Sequence, residues 1–256
     1  MTTRVAFITG AAQGIGEAIS LRMAADGIDV ALFDIRSKEK QLDTVASQIV
    51  AKGRKALIVP GDVTSEEEVK NAILKTVETF GGLDIVVANA GILGPLQSLH
   101  ETSVEEFRQV QAVNVEGVFF CYKYAAQQMI KQGRGGRIIG ASSIAGKKPA
   151  PRSSPYAASK FAVRGLTQVA AQELAPHNIT VNAYAPGVIQ TEMTSFPGDL
   201  QLGGPGMVIK KHMGLPADMD IGQPSEVAGL VAFLVRPEAR FITGQSISIN
   251  GGTQFD

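Results

Sequence analysis

The stretch Val5-Ala6-Phe7-Ile8-Thr9-Gly10-Ala11-Ala12-Gln13-Gly14-Ile15-Gly16, followed by Ala18, Ile19, Leu21, Met23 and Ala24 at helical spacing, decides the fold. An apolar run that stops at a glycine turn and resumes with helical periodicity predicts strand, tight turn and helix. That combination suits a pyrophosphate: glycines let the backbone come close, and the first helical turn offers free N–H groups at the positive end of a dipole. Glycine turns also end strands for purely structural reasons. It is the position of this one at the first strand-to-helix turn that gives it weight.

Outward from that unit, short apolar runs recur at Val30 to Phe33, Ala56 to Pro60, Ile85 to Asn89, Arg137 to Ala141, Thr180 to Tyr184 and Gln245 to Ile249. Between them lie helical patterns such as Val69, Ile73, Val77 and Phe80. Nearly all-apolar strands alternating with helices predict a parallel sheet covered on both faces. The expected fold is therefore α/β: a single doubly wound parallel sheet of about seven strands, spanning residues 1–256 as one domain. The rhythm breaks only at Thr191 to Gln223, rich in Gly, Pro and Met and long for a connection, which reads as a substrate-binding lid. Met193, Phe196, Leu202 and Met207 are expected to form its apolar inner surface.

With 45% hydrophobic and 19% charged residues, the chain has the make-up of an ordinary globular protein. The 24 bases balance 24 acids, so no long-range field draws it to nucleic acid or an anionic membrane. Met1-Thr2-Thr3-Arg4 leads into an apolar run too soon broken by Gly10 for a secretory segment, and no run is long enough to span a bilayer. A cytoplasmic location is expected. Cys121, in Val118-Phe119-Phe120-Cys121-Tyr122, reads as a core thiol on a buried helix stripe. His100, His177 and His212 are scattered, with no metal-ligand spacing, and read as surface or loop residues.

Asp34 ends the second predicted strand, 18 residues after Gly16. A carboxylate there accepts hydrogen bonds from the adenosine ribose of NAD and repels a 2′-phosphate. Two unit charges 4 Å apart interact by about 4 kcal/mol at an effective dielectric of 20, so NAD is the expected cofactor. Arg36, two positions on, reads as a solvated helix-start residue.

Tyr156 and Lys160, spaced i, i+4 on a helical pattern, share one face. An ammonium beside a phenol favours phenolate, and bringing that phenol to near neutrality takes roughly 4 kcal/mol. The spacing alone is a common accident; its company is not. Ser142-Ser143 follows the predicted strand Arg137 to Ala141, at the carboxyl edge where open α/β sheets bind ligands, and a hydroxyl there can hold a reacting carbonyl oxygen.

Thr9-Gly10-x-x-x-Gly14-Ile15-Gly16, Asp62-Val63, Asn89-Ala90-Gly91, Asn114, Ser143, Tyr156-x-x-x-Lys160 and Pro186-Gly187-x-x-x-Thr191 together resemble the short-chain dehydrogenase/reductase family, in order and spacing, over essentially the whole chain. The resemblance implies a Rossmann-type oxidoreductase acting on a small alcohol or ketone. It implies Tyr156 as general acid/base, Lys160 as the residue serving nicotinamide ribose and phenol, Ser143 as the oxygen anchor and Asn114 as holder of a proton-relay water. Without it, Asn114 reads as a satisfied core polar group. Asp62 and Val63 resemble adenine contacts, and Asn89, Ala90 and Gly91 the turn beside the adenine ribose. Pro186, Gly187, Val188 and Thr191 resemble the nicotinamide side. Gln13, where NADP-preferring relatives often carry a base, agrees with Asp34, and Ile35 completes the ribose edge.

Ser159 to Gln168, Leu174-Ala175-Pro176, Ile179 to Asn182 and the ending Gly251 to Asp256 resemble the acetoin/diacetyl reductases and 2,3-butanediol dehydrogenases of the family; sugar-alcohol and 3-oxoacyl dehydrogenases stay open. A non-catalytic NAD sensor would be expected to lack Tyr156 or Lys160, and a methyltransferase leaves both without a task. The resemblance also implies a homotetramer. Val115, Val118, Phe119 and Tyr122 on one helix, and Phe161, Leu166 and Val169 on another, offer apolar surface for it.

Overall fold

In the computed structural model, which describes residues 3–255, seven strands form one parallel sheet in the order β3-β2-β1-β4-β5-β6-β7. Met1, Thr2 and Asp256, quoted above, lie outside the described residues. The strands are β1 Val5–Thr9, β2 Asp29–Asp34, β3 Ala56–Pro60, β4 Ile85–Ala88, β5 Gly136–Ala141, β6 Ile179–Pro186 and β7 Ser246–Ile249. All seven were legible as apolar runs. The helices are α1 Gly14–Ala25, α2 Glu39–Ala51, α3 Glu66–Phe80, α4 Val104–Gln111, α5 Gly117–Gln132, α6 Ser154–Leu174, α7 Met207–His212 and α8 Pro224–Leu234.

The period-two alternation of strand side chains splits the interior into two layers. Ala6 and Ile8 of β1 with Ile85 and Val87 of β4 face a core closed by Ile19 and Met23 of α1, Leu42 and Ile49 of α2, and Val227 and Val231 of α8. Phe7 and Val86 point the other way, onto Val69 and Ile73 of α3, Val118 and Met129 of α5, and Val163 of α6. Burial of Cys121 in this second layer pushes its thiol up to about 12, which removes it as a nucleophile. β1 pairs with β2 on one side and β4 on the other, so the strand order reverses there and opens a crevice at the carboxyl ends.

The helical pattern read from Val104 to Gln132 contains a feature that periodicity did not reveal. Between α4 and α5 the chain widens into a π turn, Ala112–Glu116, which places Asn114 in the interior. Among the described residues, no helix is long and apolar enough to cross a membrane.

Candidate active site

The glycine turn is built for close approach. Gly10 and Gly14 adopt φ of +63° and +59°, and a Cβ on Gly16 would lie 2.0 Å from the carbonyl oxygen of Gly10. Only glycine fits there. α1 starts after Gln13 with no side-chain cap, so its N-terminal dipole faces the crevice. Asn89 fastens the turn: its Nδ2 donates to the carbonyls of Thr9 and Gly10 at 2.9 and 3.1 Å, and its Oδ1 accepts from the Tyr184 hydroxyl at 2.7 Å.

The cleft above this turn has a volume of about 410 Å³. Its walls include Gly10, Gln13, Gly14, Ile15, Asp34, Ile35, Asp62, Val63, Asn89, Ala90, Gly91, Pro186 and Thr191, together with Tyr156 and Lys160. Of the residues predicted for a dinucleotide, Gly16 stands behind the turn rather than on the wall, while Gly187 and Val188 line the neighbouring chamber. Phe33, Lys38 and Tyr184 line the cleft without having been singled out. Asp34 is fixed at its edge, accepting from the backbone N–H of Ala12 at 3.0 Å and of Ile35 at 2.8 Å. Arg36 is turned to Glu68 at 3.1 Å, and Lys38 to Glu192 at 3.4 Å. A glycine cradle, an uncapped helix start and a fixed carboxylate fit a dinucleotide.

At the inner end of the cleft, β5 delivers two serines with different work. Ser142 Oγ donates to the Lys160 carbonyl at 3.1 Å and ties β5 to α6. Ser143 Oγ accepts from the Ala145 N–H at 3.1 Å and, with Tyr156, lines the same chamber. Lys160 Nζ donates to the Ala141 carbonyl at 2.8 Å and lies 5.3 Å from the centre of the Tyr156 ring. Burial, with no carboxylate to offset it, pulls the lysine down to about 8.

The expected lowering of the Tyr156 pKa by Lys160 is not what this geometry produces. Burial raises the phenol, and the Ser143 hydroxyl offsets only part of that. The ammonium is engaged with a carbonyl rather than with the phenolic oxygen. Asn114 is a buried anchor. Its amide donates to the Ile92 carbonyl at 2.9 Å and to Ser159 Oγ at 3.0 Å, and its Oδ1 accepts from the Ile92 N–H at 2.9 Å. Both amide protons and one of the two lone pairs of Oδ1 thus hold the loop after β4 against α6.

Ser143 and Tyr156 form one end of a second, mostly apolar chamber of about 70 Å³, walled by Leu93, Leu96, Val188, Met193, Ile209 and Met213. Segment 191–223 thus covers it, but with other side chains than expected. Met193 lines the chamber; Phe196, Leu202 and Met207 do not, and Leu202 is exposed. The reason is α7, which turns Ile209, His212 and Met213 inward. His212, read as a loop residue, is therefore part of the wall.

The fold of this segment hangs on Asp199, a buried carboxylate accepting from the backbone N–H groups of Phe196 (2.8 Å), Gly206 (3.2 Å) and Val208 (2.8 Å). These bonds hold its pKa below the usual aspartate range. The carboxylate therefore favours the ordered segment above the ordinary aspartate pKa and ceases to do so as pH falls through the lowered value. Asp199→Asn should lower hydrogen-exchange protection at Phe196, Gly206 and Val208 by about tenfold at neutral pH, charged acceptors being the stronger ones. Unaltered protection would show that the apolar contacts of α7 order the segment alone.

Comparison with known proteins agrees with this arrangement. The short chain dehydrogenase family model matches residues 4–199. An L-2,3-butanediol dehydrogenase of Corynebacterium glutamicum is 41% identical over 99% of this chain and 100% of its own length. A 3-oxoacyl-[acyl-carrier-protein] reductase of Staphylococcus aureus is 40% identical over 98% of each. Among solved structures, carveol dehydrogenase from Mycobacterium avium in complex with NAD superposes with a TM-score of 0.91 at 31% identity, covering 99% of this chain and 98% of that one. A short chain dehydrogenase from Burkholderia cenocepacia in complex with NADP gives 0.87 at 36% identity, covering 98% of both chains. The chain belongs to the short-chain dehydrogenase/reductase family of nicotinamide-dependent oxidoreductases.

Proposed function

We propose that this oxidoreductase moves a hydride between NAD(H) and a small secondary alcohol/ketone pair of the acetoin, diacetyl and 2,3-butanediol class. The observation that carries the proposal is the meeting of two cavities at Tyr156: a cleft of dinucleotide size on one side and a small apolar chamber on the other. The chamber takes roughly five water-sized groups. That suits a four-carbon ketone better than the long chain of a 3-oxoacyl thioester or the many hydroxyls of a sugar alcohol. The butanediol dehydrogenase relative supports the same class.

When bound, the nicotinamide supplies or takes up the hydride at the carbonyl carbon. Ser143 holds the oxygen, and Tyr156 gives it a proton in reduction or removes one in oxidation. Lys160 serves the ribose and the phenol from one turn further along α6. Asn114 would hold a relay water through the lone pair that Oδ1 keeps. Gly10 to Gly16 hold the pyrophosphate, Asp34 and Ile35 the adenosine ribose, Asp62 and Val63 the adenine, and Asn89 to Gly91 the adjoining turn. Pro186, Gly187, Val188 and Thr191 take the nicotinamide side, under 191–223 as a lid.

NAD over NADP rests on Asp34, fixed at the cleft edge by two backbone N–H groups, and on the engagement of Arg36 with Glu68. Catalytic efficiency in reducing 3-hydroxy-2-butanone should be at least about tenfold higher with NADH than with NADPH, and Asp34→Ala should narrow that gap. Equal use of both cofactors by the wild type would refute the assignment of NAD.

The assembly proposed is a homotetramer. Val104, Phe107, Phe119, Phe161 and Val169 leave large apolar side chains exposed along α4, α5 and α6, and Phe233, Phe241 and Phe255 do so near β7. Val118 and Tyr122, expected to join that surface, are buried in the protomer's own core instead, and the outward positions of α5 belong to Phe119. Light scattering should report four times the 27.0 kDa protomer mass. A protomer-mass particle at micromolar concentration would refute the proposal.

A further inference from the structure

Five charged side chains stand on the wall of the dinucleotide cleft: Asp34, Lys38, Asp62, Lys160 and Glu192. Three of them are engaged with backbone. Asp34 accepts from the N–H groups of Ala12 and Ile35, Asp62 accepts from that of Thr64 at 2.9 Å, and Lys160 donates to the Ala141 carbonyl. Lys38 and Glu192 differ, because they pair with each other, Nζ to Oε2 at 3.4 Å, across 154 residues of sequence. Glu192 is the member that needs a reason. A carboxylate on the wall of a cleft that takes a pyrophosphate repels its ligand.

The pair joins the two halves of the sheet. Lys38 ends the short turn Arg36–Lys38 that follows β2, and Glu192 opens the short turn Glu192–Thr194 that follows β6. Strands β1, β4 and β5 lie between β2 and β6, so the contact crosses the crevice where the strand order reverses. The chain reaches Glu192 by packing against the glycine turn: a Cβ on Gly14 would lie 3.3 Å from Thr191 Cγ2. Thr194 braces the segment, its Oγ1 accepting from the Thr191 N–H at 3.1 Å and donating to the Ile189 carbonyl. With the pair made, the cleft still has its volume of about 410 Å³, so the pair bridges the cleft and does not fill it.

We propose that the Lys38–Glu192 pair is a clasp over the bound dinucleotide, joining the adenosine side of the cleft to the nicotinamide side and slowing the cofactor's release. This rests on the NAD(H) reading above and adds to it how the cofactor is retained. Pairing with Lys38 offsets the repulsion that Glu192 alone would exert on the pyrophosphate. The lysine side chain is 27% exposed and the glutamate 69%, so the pair lies on the solvent side of the cleft, where it can open and re-form as the cofactor passes. An exposed pair of this kind changes a rate or an equilibrium by no more than about fivefold. The clasp therefore tunes residence time and does not decide whether the cofactor binds.

The test follows NADH fluorescence by stopped flow in the full-length wild type, Lys38→Met, Glu192→Gln and the double variant, bound NADH being chased with excess NAD+ at about 50 mM salt. A first-order release rate does not depend on how much of a sample is folded. Release should be about threefold faster from either single variant and no faster again from the double, with association changed by less than about twofold. Near 1 M salt, where screening reaches about 3 Å, the difference between wild type and variants should vanish. Were Glu192 merely a carboxylate beside the pyrophosphate, Glu192→Gln would slow release while Lys38→Met hastened it. That opposition of sign, or two effects that add in the double variant, would overturn the inference. So would faster association at unchanged release, the mark of a pair that only bars the empty cleft. A wild type that binds no NADH would overturn the NAD(H) reading itself, and the clasp with it.

Discussion

Tyr156→Phe should lower kcat by about 10²- to 10⁴-fold in both directions while changing NADH affinity by less than about twofold, the range expected when one positioned proton donor is lost. The substitution removes a single oxygen and keeps the ring, which packs beside Lys160 Nζ at 5.3 Å from its centre. What disappears is the phenolic hydroxyl at the junction of cleft and chamber. The pH profile should follow from the direction of its shift. Burial holds the phenol protonated well above neutrality, so the acid form needed for reduction is present across the physiological range. Oxidation needs the phenolate, so wild-type oxidation should rise with pH through the alkaline range, and Tyr156→Phe should lose that limb. Were the variant to keep kcat within about threefold of wild type where chemistry limits the rate, the proton would have to be handled elsewhere.

The parts of this molecule that sequence patterns reveal are those governed by local periodicity or by a fixed short spacing. The inner strands were legible because they are buried on both faces and so read as apolar runs, while the edge strands β3 and β7 are half-buried and β7 shows as the alternation Ser246-Ile247-Ser248-Ile249. Gly10, Gly14 and Gly16 were legible because backbone approach forbids side chains there, and Tyr156 and Lys160 because one helical turn separates them. What escaped depends on contacts between segments distant in sequence. The Ala141 carbonyl that takes the lysine's hydrogen bond is 19 residues away and has no sequence signature. The π turn around Asn114 keeps a helical pattern while adding a residue to the turn, so periodicity passes over it. The inner face of segment 191–223 was misread because its rotation is set by Asp199 gathering backbone N–H groups from both sides of a glycine-rich loop, which no hydrophobic pattern encodes. His212 escaped for the same reason: α7 is only six residues long, too short to display a periodic face.

Lys160→Met should separate function from stability, and in opposite directions. Lys160 is 3% exposed, its ammonium having a carbonyl as partner and burial pulling its pKa from 10.5 to about 8. A lysine whose folded pKa lies below its unfolded value weakens the fold at neutral pH, here by about 3 kcal/mol, and that cost fades as pH rises from about 8 toward the ordinary lysine value. Methionine fills similar space with no charge to desolvate, so the variant should melt higher than wild type at pH 7, and the gain should shrink in alkali. Activity should move the other way. Loss of the group proposed to serve both ribose and phenol should cut kcat by about 100-fold or more and raise the KM for NADH by about tenfold, whereas Tyr156→Phe spares the KM. Cofactor affinity of the wild type should also weaken above about pH 8 as the ammonium discharges, and that of Lys160→Met should be flat across the same interval. A variant with lower melting temperature and unchanged NADH affinity would mean that the lysine holds α6 to β5 and nothing more; higher stability with lost activity would mean that a destabilising charge is retained for its chemistry.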